Sequence, residues 1–394
     1  MSLTAIERTV DDPASAGNIA SVHIDVVKIA PKKAYNMGGH DHRGMNYHGV
    51  LVRVRTEDGV EGLGEVFMTP GWYGPDTPLS YIYLINKTFG PAIIGESVFD
   101  TAKIGLLMDR LWMGNLWSKA VLENALYDAA AKTIKRPLVD LVGGRVRDKF
   151  PVVGGIGMDS PVEMARSARE YVDRGFSTIK LKIGEVGNTD VDVARVRLVR
   201  EEVGPDVVIR VDANQAYDTD VRGAIRLIRR LESYDLDHVE QPLAHWHIEG
   251  MARIRDAIDT RLMADECVHS VADARRVIEA GAADVIKLKM AKNGGYRKCQ
   301  EIIALCSVAG VEVELGNGLQ TSVASLHELS LACSNPLVQP AGEFPGPDKL
   351  LSDILVSPMQ IVDGEAILPE GPGIGSDLDY KAFNDCRVDL MKLL

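Results

Sequence analysis

The stretch Thr178–Glu185, "TIKLKIGE", alternates charged and aliphatic residues with the period of a β-strand. Strand side chains point alternately to opposite sides, so Lys180 and Lys182 share one side and Ile179, Leu181 and Ile183 the other. A strand of this kind either shows its lysines to water or encloses them where positive charge is needed. The sequence on either side decides between the two.

From Pro151 onward the chain repeats a unit of short apolar strand, loop and amphipathic helix. The strand candidates are "VVGGIG", "TIKLKI", "VVIRVDA", "DHVEQP", "RLMADE", "DVIKLKM", "VEVELGN" and "PLVQPAG". Between them run helical stripes such as Val221/Ala224/Ile225/Ile228 and Cys299/Ile302/Ile303/Cys306, spaced i, i+3, i+4, i+7. Eight such strands with intervening helices predict a parallel (β/α)8 barrel of the TIM type rather than an open doubly wound sheet. No Gly-rich dinucleotide turn and no P-loop opens any of the helices. In a barrel the outer side of each strand meets apolar helices and has no use for lysines, so the lysine side of "TIKLK" is expected to face inward.

Ahead of the repeat, "VHIDVVKIA" and "GVLVRVRTEDGVEGLGEV" read as strands, the second folded at Asp58-Gly59 into a hairpin. Val121, Leu122, Ala125, Leu126 and Ala129 then form one helical stripe. Strands followed by helices predict a small α+β domain. After the eighth barrel strand, "MQIVDGEAILPEGPGIG" reads as another hairpin, turned at Asp363-Gly364 and expected to return to the first domain.

A length of 394 residues suits two domains. With 44 basic and 56 acidic residues the formal net charge is −12, which argues against a nucleic-acid or anionic-membrane partner. The five cysteines are odd in number, scattered and free of any C-x-x-C pair, so a reducing compartment is expected and no disulfide framework or zinc site is indicated. The first residues lack the pattern of a signal peptide and no run is long and apolar enough to span a bilayer, which predicts a cytoplasmic protein. A symmetric homo-oligomer is the common expectation for such a chain.

Barrel chemistry collects at the C-terminal strand ends, and five consecutive units carry a charge there: Lys182, Asp212, Glu240, Asp265 and Lys289. Any one of them alone would be read as a solvated or capping residue. Together, three carboxylates at one barrel mouth need a cation between them. With no cysteine or paired histidine nearby, the all-oxygen set Asp212, Glu240 and Asp265 favours Mg2+, with Mn2+ as the alternative. A lysine beside a metal and a second lysine is expected to be pushed toward neutrality. Lowering it from about 10.4 to about 7.5 takes roughly 4 kcal/mol and makes a usable base. Lys182 and Lys289, on nearly opposite strands, would then face each other across a small-molecule carboxylate substrate, with Lys180 adding positive charge. The reaction class is proton transfer α to a carboxylate through an enolate.

These residues resemble the enolase superfamily, and within it the muconate lactonizing (muconate cycloisomerase) subgroup, over nearly the whole chain. The resemblance rests on "KLK" at 180–182, "VDANQ", "VEQP", "ADE" and "LKMAKNGG" at 288–295. It implies base roles for Lys182 and Lys289, an electrostatic role for Lys180 and metal ligation by Asp212, Glu240 and Asp265. It also implies a capping α+β domain at 1–148, completed by 363–394, over a catalytic barrel at 149–362. "GEFPGP", with Glu343, looks like the segment after the last strand of muconate cycloisomerases, whereas the Asp-x-Asp of dipeptide epimerases is absent. The seventh strand, "VEVELGNG", lacks the histidine of mandelate racemase-like members and carries Asn317 where cycloisomerases tend to have Glu.

Among further residues, Glu266 should point away from Asp265 by alternation, with an orienting role favoured over a ligand role. Asn214 and Gln241 are candidates for hydrogen bonds to ligands or substrate. Lys292 reads as a loop lysine and Lys287 as a structural one. "YNMGGHDHRGMNYHG", with His40, His42, Arg43 and His48, reads as a lid over the substrate, to which Met68, Trp72 and Tyr73 would add an apolar side. The expected function is a muconate cycloisomerase-like isomerase that needs no organic cofactor. The alternatives are a racemase or epimerase of an amino-acid derivative or dipeptide, then a dehydratase, and outside enzymes a silent metal-binding barrel.

Overall fold

The computed structural model describes residues 17–33, 35–38, 48–67, 73–74, 76–185, 187–344 and 346–389. Strands β1 (Ile19–Lys28), β2 (His48–Thr56) and β3 (Glu61–Phe67) form an antiparallel meander. The β2–β3 turn falls where the sequence places it, with Gly59 at φ +84° and the Thr56 N–H donating to the Val60 carbonyl. Helix Leu116–Thr133 lies across this sheet and buries Val121, Leu122, Ala125, Leu126 and Ala129 completely. Its close approach depends on two glycines of β3. A Cβ on Gly62 would sit 2.2 Å from the Ala125 carbonyl oxygen, and one on Gly64 would sit 2.0 Å from that of Val121.

After β4 (Lys149–Pro151) come eight parallel strands: β5 (Gly154–Ile156), β6 (Thr178–Lys182), β7 (Val208–Asp212), β8 (Leu236–Glu240), β9 (Arg261–Ala264), β10 (Val285–Leu288), β11 (Glu312–Gly316) and β12 (Val338–Glu343). Each pairs with its sequence neighbour, and a parallel bridge from Val152 to Gly342 brings the first strand region beside the last. All eight predicted strands are present, with helices between them, giving the TIM-type barrel that the repeat implies. Every residue of β6 is buried. Ile179 and Leu181 join the apolar core under the helices, and Lys180 and Lys182 are only 2% and 6% exposed.

The hairpin β13 (Ile361–Val362) and β14 (Glu365–Ile367) forms as expected, but it does not return to the first sheet. It pairs with β4, setting Ala366 opposite Phe150, both fully buried in the barrel's core. The return is made further on, by β15 (Arg387–Val388) alongside Val26 and Val27 of β1. No helix among the described residues is long and apolar enough to cross a membrane.

A buried carboxylate joins the meander to the barrel. Glu65 of β3 accepts the backbone N–H of Thr321 at 3.0 Å, its hydroxyl at 2.6 Å and the N–H of Ala324 at 3.2 Å, at the start of helix Ser322–Ser334. An acid is well placed there, because the first N–H groups of a helix have no partner within the helix and carry partial positive charge. Glu65→Ala should therefore cost about 2–4 kcal/mol in urea unfolding, since it strands buried donors. A loss below about 0.5 kcal/mol, the range of an ordinary surface substitution, would contradict this role.

Candidate active site

Strand register sets the level of the site. Lys182 of β6 lies beside Asp212 of β7, which lies beside Glu240 of β8. Asp265 and Lys289 come just past the ends of β9 and β10, so all five phased charges reach the same end of the barrel. All three acids are buried, with 1% exposure or less.

Ammonium groups neutralise these acids. Lys180 Nζ donates to Asp212 Oδ2 and Glu240 Oε2, both at 2.9 Å, and contacts Glu343 Oε1 at 2.5 Å. Lys182 Nζ donates to Asp212 Oδ2 at 2.5 Å and to Asn214 Oδ1 at 2.7 Å. Lys289 Nζ meets Asp265 Oδ2 at 2.7 Å. The sequence predicts a lysine pushed toward neutrality beside a metal ion; with the acids alone around them, Lys180 and Lys289 shift the other way. Burial disfavours their charged forms, but Asp212, Glu240 and Glu343 around Lys180, and Asp265, Glu240 and Glu266 around Lys289, hold both above the ordinary lysine value. The amines are the counterions of the acids.

Glu266 and Lys292 depart from their predicted places. Glu266 points into the site, because it lies beyond the end of β9 where strand alternation no longer applies. Its Oε1 accepts from Asn214 Nδ2 at 3.0 Å, and burial beside Asp265 and Asp212 pushes its carboxyl up to about 8. Lys292, read as a loop lysine rather than a base, lies in the short helix Met290–Asn293; fully buried, it donates to Asp265 Oδ1 at 2.7 Å and to the carbonyls of Asp265 and Lys287. Gln241 accepts the Asp265 N–H through Oε1 and donates to the Leu243 carbonyl, so it fixes the backbone that carries Asp265. Asn214 bridges Lys182 to Glu266. Asn317 donates through Nδ2 to Glu328 of helix Ser322–Ser334, a buried carboxyl that the sequence pattern does not reveal. Lys287 lies deeper, between Glu314 at 3.4 Å and Glu343 at 3.2 Å.

Sequence reasoning placed Tyr73 on the apolar side of a lid, yet its hydroxyl donates to Asp265 at 2.9 Å and lies against Lys289. One phenol outside the barrel thus touches two of the five phased charges. His40, His42, Arg43, Met68 and Trp72 lie outside the described residues. His48 is the buried first residue of β2.

The oxygens without partners show where a cation could enter. Glu240 Oε1 and Glu266 Oε2 are buried and accept no hydrogen bond. Burial and the neighbouring Asp212 also push Glu240 up to about 7. With Asp212 and Asp265 they form a hard all-oxygen donor set that fits a divalent ion. A second close-set group, Asp237, His238 and Glu314, does not fit one. Asp237 and Glu314 are already neutralised by Arg210 at 2.9 and 3.0 Å, and Asp237 also pairs with Arg261.

If Lys292 is a buried counterion, Lys292→Met should cost about 3–5 kcal/mol in urea unfolding, the usual result of stranding a buried charge. A solvated loop lysine would give a change within about 0.5 kcal/mol.

Comparison with known proteins agrees with this geometry. Residues 163–382 match the family model described as enolase C-terminal domain-like. Residues 28–143 match the mandelate racemase / muconate lactonizing enzyme N-terminal domain. The N-succinyl-L-Arg/Lys racemase of Bacillus cereus is 28% identical over 372 residues, covering 94% of this chain and 98% of its own. The chloromuconate cycloisomerase of Cupriavidus pinatubonensis is 31% identical over 332 residues, covering 84% and 88%. The crystal structure of a dipeptide epimerase from Enterococcus faecalis, complexed with Mg and the dipeptide L-Leu-L-Tyr, superposes with a TM-score of 0.85 at 29% identity, covering 91% and 99%.

Proposed function

This chain belongs to the enolase superfamily, in its mandelate racemase / muconate lactonizing group, and we propose that it forms and collapses an enolate next to a substrate carboxylate. One observation carries the reading. Two amines, the buried Lys182 and the half-buried Lys289, stand four strands apart in an eight-strand ring, with Asp212, Glu240 and Asp265 on the intervening units.

Membership of this superfamily implies a divalent metal, and Asp212, Glu240 and Asp265 are the residues we assign to hold it, as Mg2+ or, second, Mn2+. When bound, the ion supplies positive charge that stabilises the enolate oxygens. The remaining work falls to the chain's own side chains. Lys182, steadied by Asn214, exchanges the α-proton on one face of the substrate, and Lys289, against Tyr73, is positioned for the other. To accept a proton, either amine must first leave its carboxylate contact and lose its own proton to solvent; to deliver one, it acts from the ammonium form. Lys180 remains as a fixed positive charge beside the developing anion. Gln241 fixes the backbone that carries Asp265, Glu266 holds Asn214 through one oxygen and leaves the other free beside the metal ligands, and the Asn317 and Glu343 side chains border the site.

Within this chemistry the first reading is a cycloisomerase acting on an unsaturated dicarboxylate of the muconate kind, with Lys182 as the proton carrier. A racemase or epimerase of an amino-acid derivative is the second, favoured by an amine on each flank and by the extent of the match to the Bacillus cereus racemase. Both give an isomerase.

Substitution separates them. Lys182→Ala should lower turnover of cis,cis-muconate by about 10²–10⁴-fold, the usual worth of a general acid or base, while Lys289→Ala retains it. If instead an N-acyl amino acid incorporates solvent deuterium at Cα, with loss of turnover in both variants, the second reading holds. A wild-type enzyme that turns over neither compound in the presence of Mg2+, and leaves every α-proton unexchanged in D2O, contradicts both.

Metal binding is testable without turnover. Mg2+ at 100 times its dissociation constant should stabilise the chain by about 2.7 kcal/mol, read as a higher melting temperature. Glu240→Gln should abolish most of that rise. An equal rise in the variant would exclude Glu240 as a ligand.

A further inference from the structure

Lys349 lies just beyond the last barrel strand, and its amine has no carboxylate within ion-pairing distance among the described residues. The backbone that carries it spans the seam between meander and barrel: its carbonyl accepts the Lys32 N–H, and Leu351 donates to the Ala30 carbonyl. Its Nζ rests on the face of Tyr35, 3.9 Å from the ring centroid. Lys182 Nζ lies 5.9 Å from the same centroid, so one aromatic ring touches both a proposed base and this amine.

Tyr35 is held in place by its neighbour. The Asn36 carbonyl accepts the Met158 N–H at 2.8 Å, just past β5. Together they border a cavity of about 490 Å³ that Lys349, Gly155 and Met158 also line. The acids on its wall are already engaged: Asp348 by Arg174, Glu170 by Lys33 and Arg166, and Asp159 by the Ser160 N–H. Gly155 keeps the space beside the amine clear, because a Cβ there would sit 2.8 Å from Lys349 Nζ.

We propose that this cavity is an anion subsite in which Lys349 receives a second carboxylate, at the far end of a substrate whose first carboxylate lies between Lys182 and Lys289. The enzyme then prefers dicarboxylates, a statement that rests on the enolate reading above. A half-buried ammonium with no carboxylate partner carries a desolvation cost that an arriving anion would offset. Consistent with that cost, burial and the positive charges of Lys182 and Lys180 lower the Lys349 amine to about 7, although Glu343 pulls the other way. An arriving carboxylate would restore its proton. Tyr35 would stack along the chain linking the two ends.

The test is isothermal titration of the full chain, in Mg2+, with glutarate and with its mono-amide, glutaramate, which differ only at the far end. The wild type should bind glutarate at least about tenfold more tightly, and Lys349→Met should bring the ratio to near one. Lys349→Arg, which keeps the charge, should preserve most of the preference and guards against a folding defect in the methionine variant. An unchanged ratio in Lys349→Met overturns the subsite, as does a wild type that does not distinguish the two compounds. Inorganic phosphate that binds through Lys349 without competing with glutarate would show a site for a free anion and overturn the substrate assignment. These readouts need no turnover, so failure of deuterium exchange would count against the enolate chemistry and leave the binding result to stand or fall by itself.

Discussion

Charges inside this barrel can be there only as one another's partners. Lys180, Lys182, Lys287, Lys289 and Lys292 are enclosed with Asp212, Glu240, Asp265, Glu314 and Glu343, and each amine meets at least one carboxylate. Taking a single ion out of water costs several kcal/mol, so an unmatched member would be expelled or neutralised. Matched, the set costs less, and it leaves the barrel lined with groups that can exchange protons or bind a cation. The fold of the barrel and its chemistry therefore depend on the same contacts.

The inner network has two levels. Toward the N-terminal ends of the strands, Arg210 ties Asp237 to Glu314 and also donates to the Ala341 carbonyl, leaving no oxygen pair for a metal. At the C-terminal ends, Glu240 Oε1 and Glu266 Oε2 remain without partners, and Lys182 and Lys289 are bonded to Asp212 and Asp265. The lower level is spent on holding strands together. On the proposed reading the upper one is open to exchange: a cation that took over the acids would free the lysines, and a freed lysine that has lost its proton could act as a base.

Much of this was legible in the sequence, for a physical reason. A parallel barrel repeats one strand-helix unit, so residues that recur at one phase of the unit meet in space, and Lys182, Asp212, Glu240, Asp265 and Lys289 could be picked out by spacing alone. Contacts that follow no repeat could not. Tyr73 comes from outside the barrel, Glu328 from a helix, and Lys349 from the loop after β12; their approach depends on packing between distant segments. Glu266 departs from its expected direction because alternation ends where β9 ends, and Lys292 from a loop because a short helix, Met290–Asn293, carries it inward. The predicted neutrality of a lysine counts a metal and neighbouring amines, whereas the acids around Lys180 and Lys289 favour the ammonium form. The C-terminal hairpin formed on schedule and went to the wrong partner, since a two-strand pattern says nothing about what its edge will meet.

The central claim is that the upper acids, and not the lower ones, receive a divalent ion and release the lysines. Anomalous diffraction from crystals soaked in Mn2+ tests it most directly. The account predicts a peak within coordination distance of Glu240 Oε1, Asp212 and Asp265, with the Lys182–Asp212 contact broken. A peak at Asp237 and Glu314, or a peak at the upper acids that leaves both Lys182 and Lys289 still bonded to them, would contradict it.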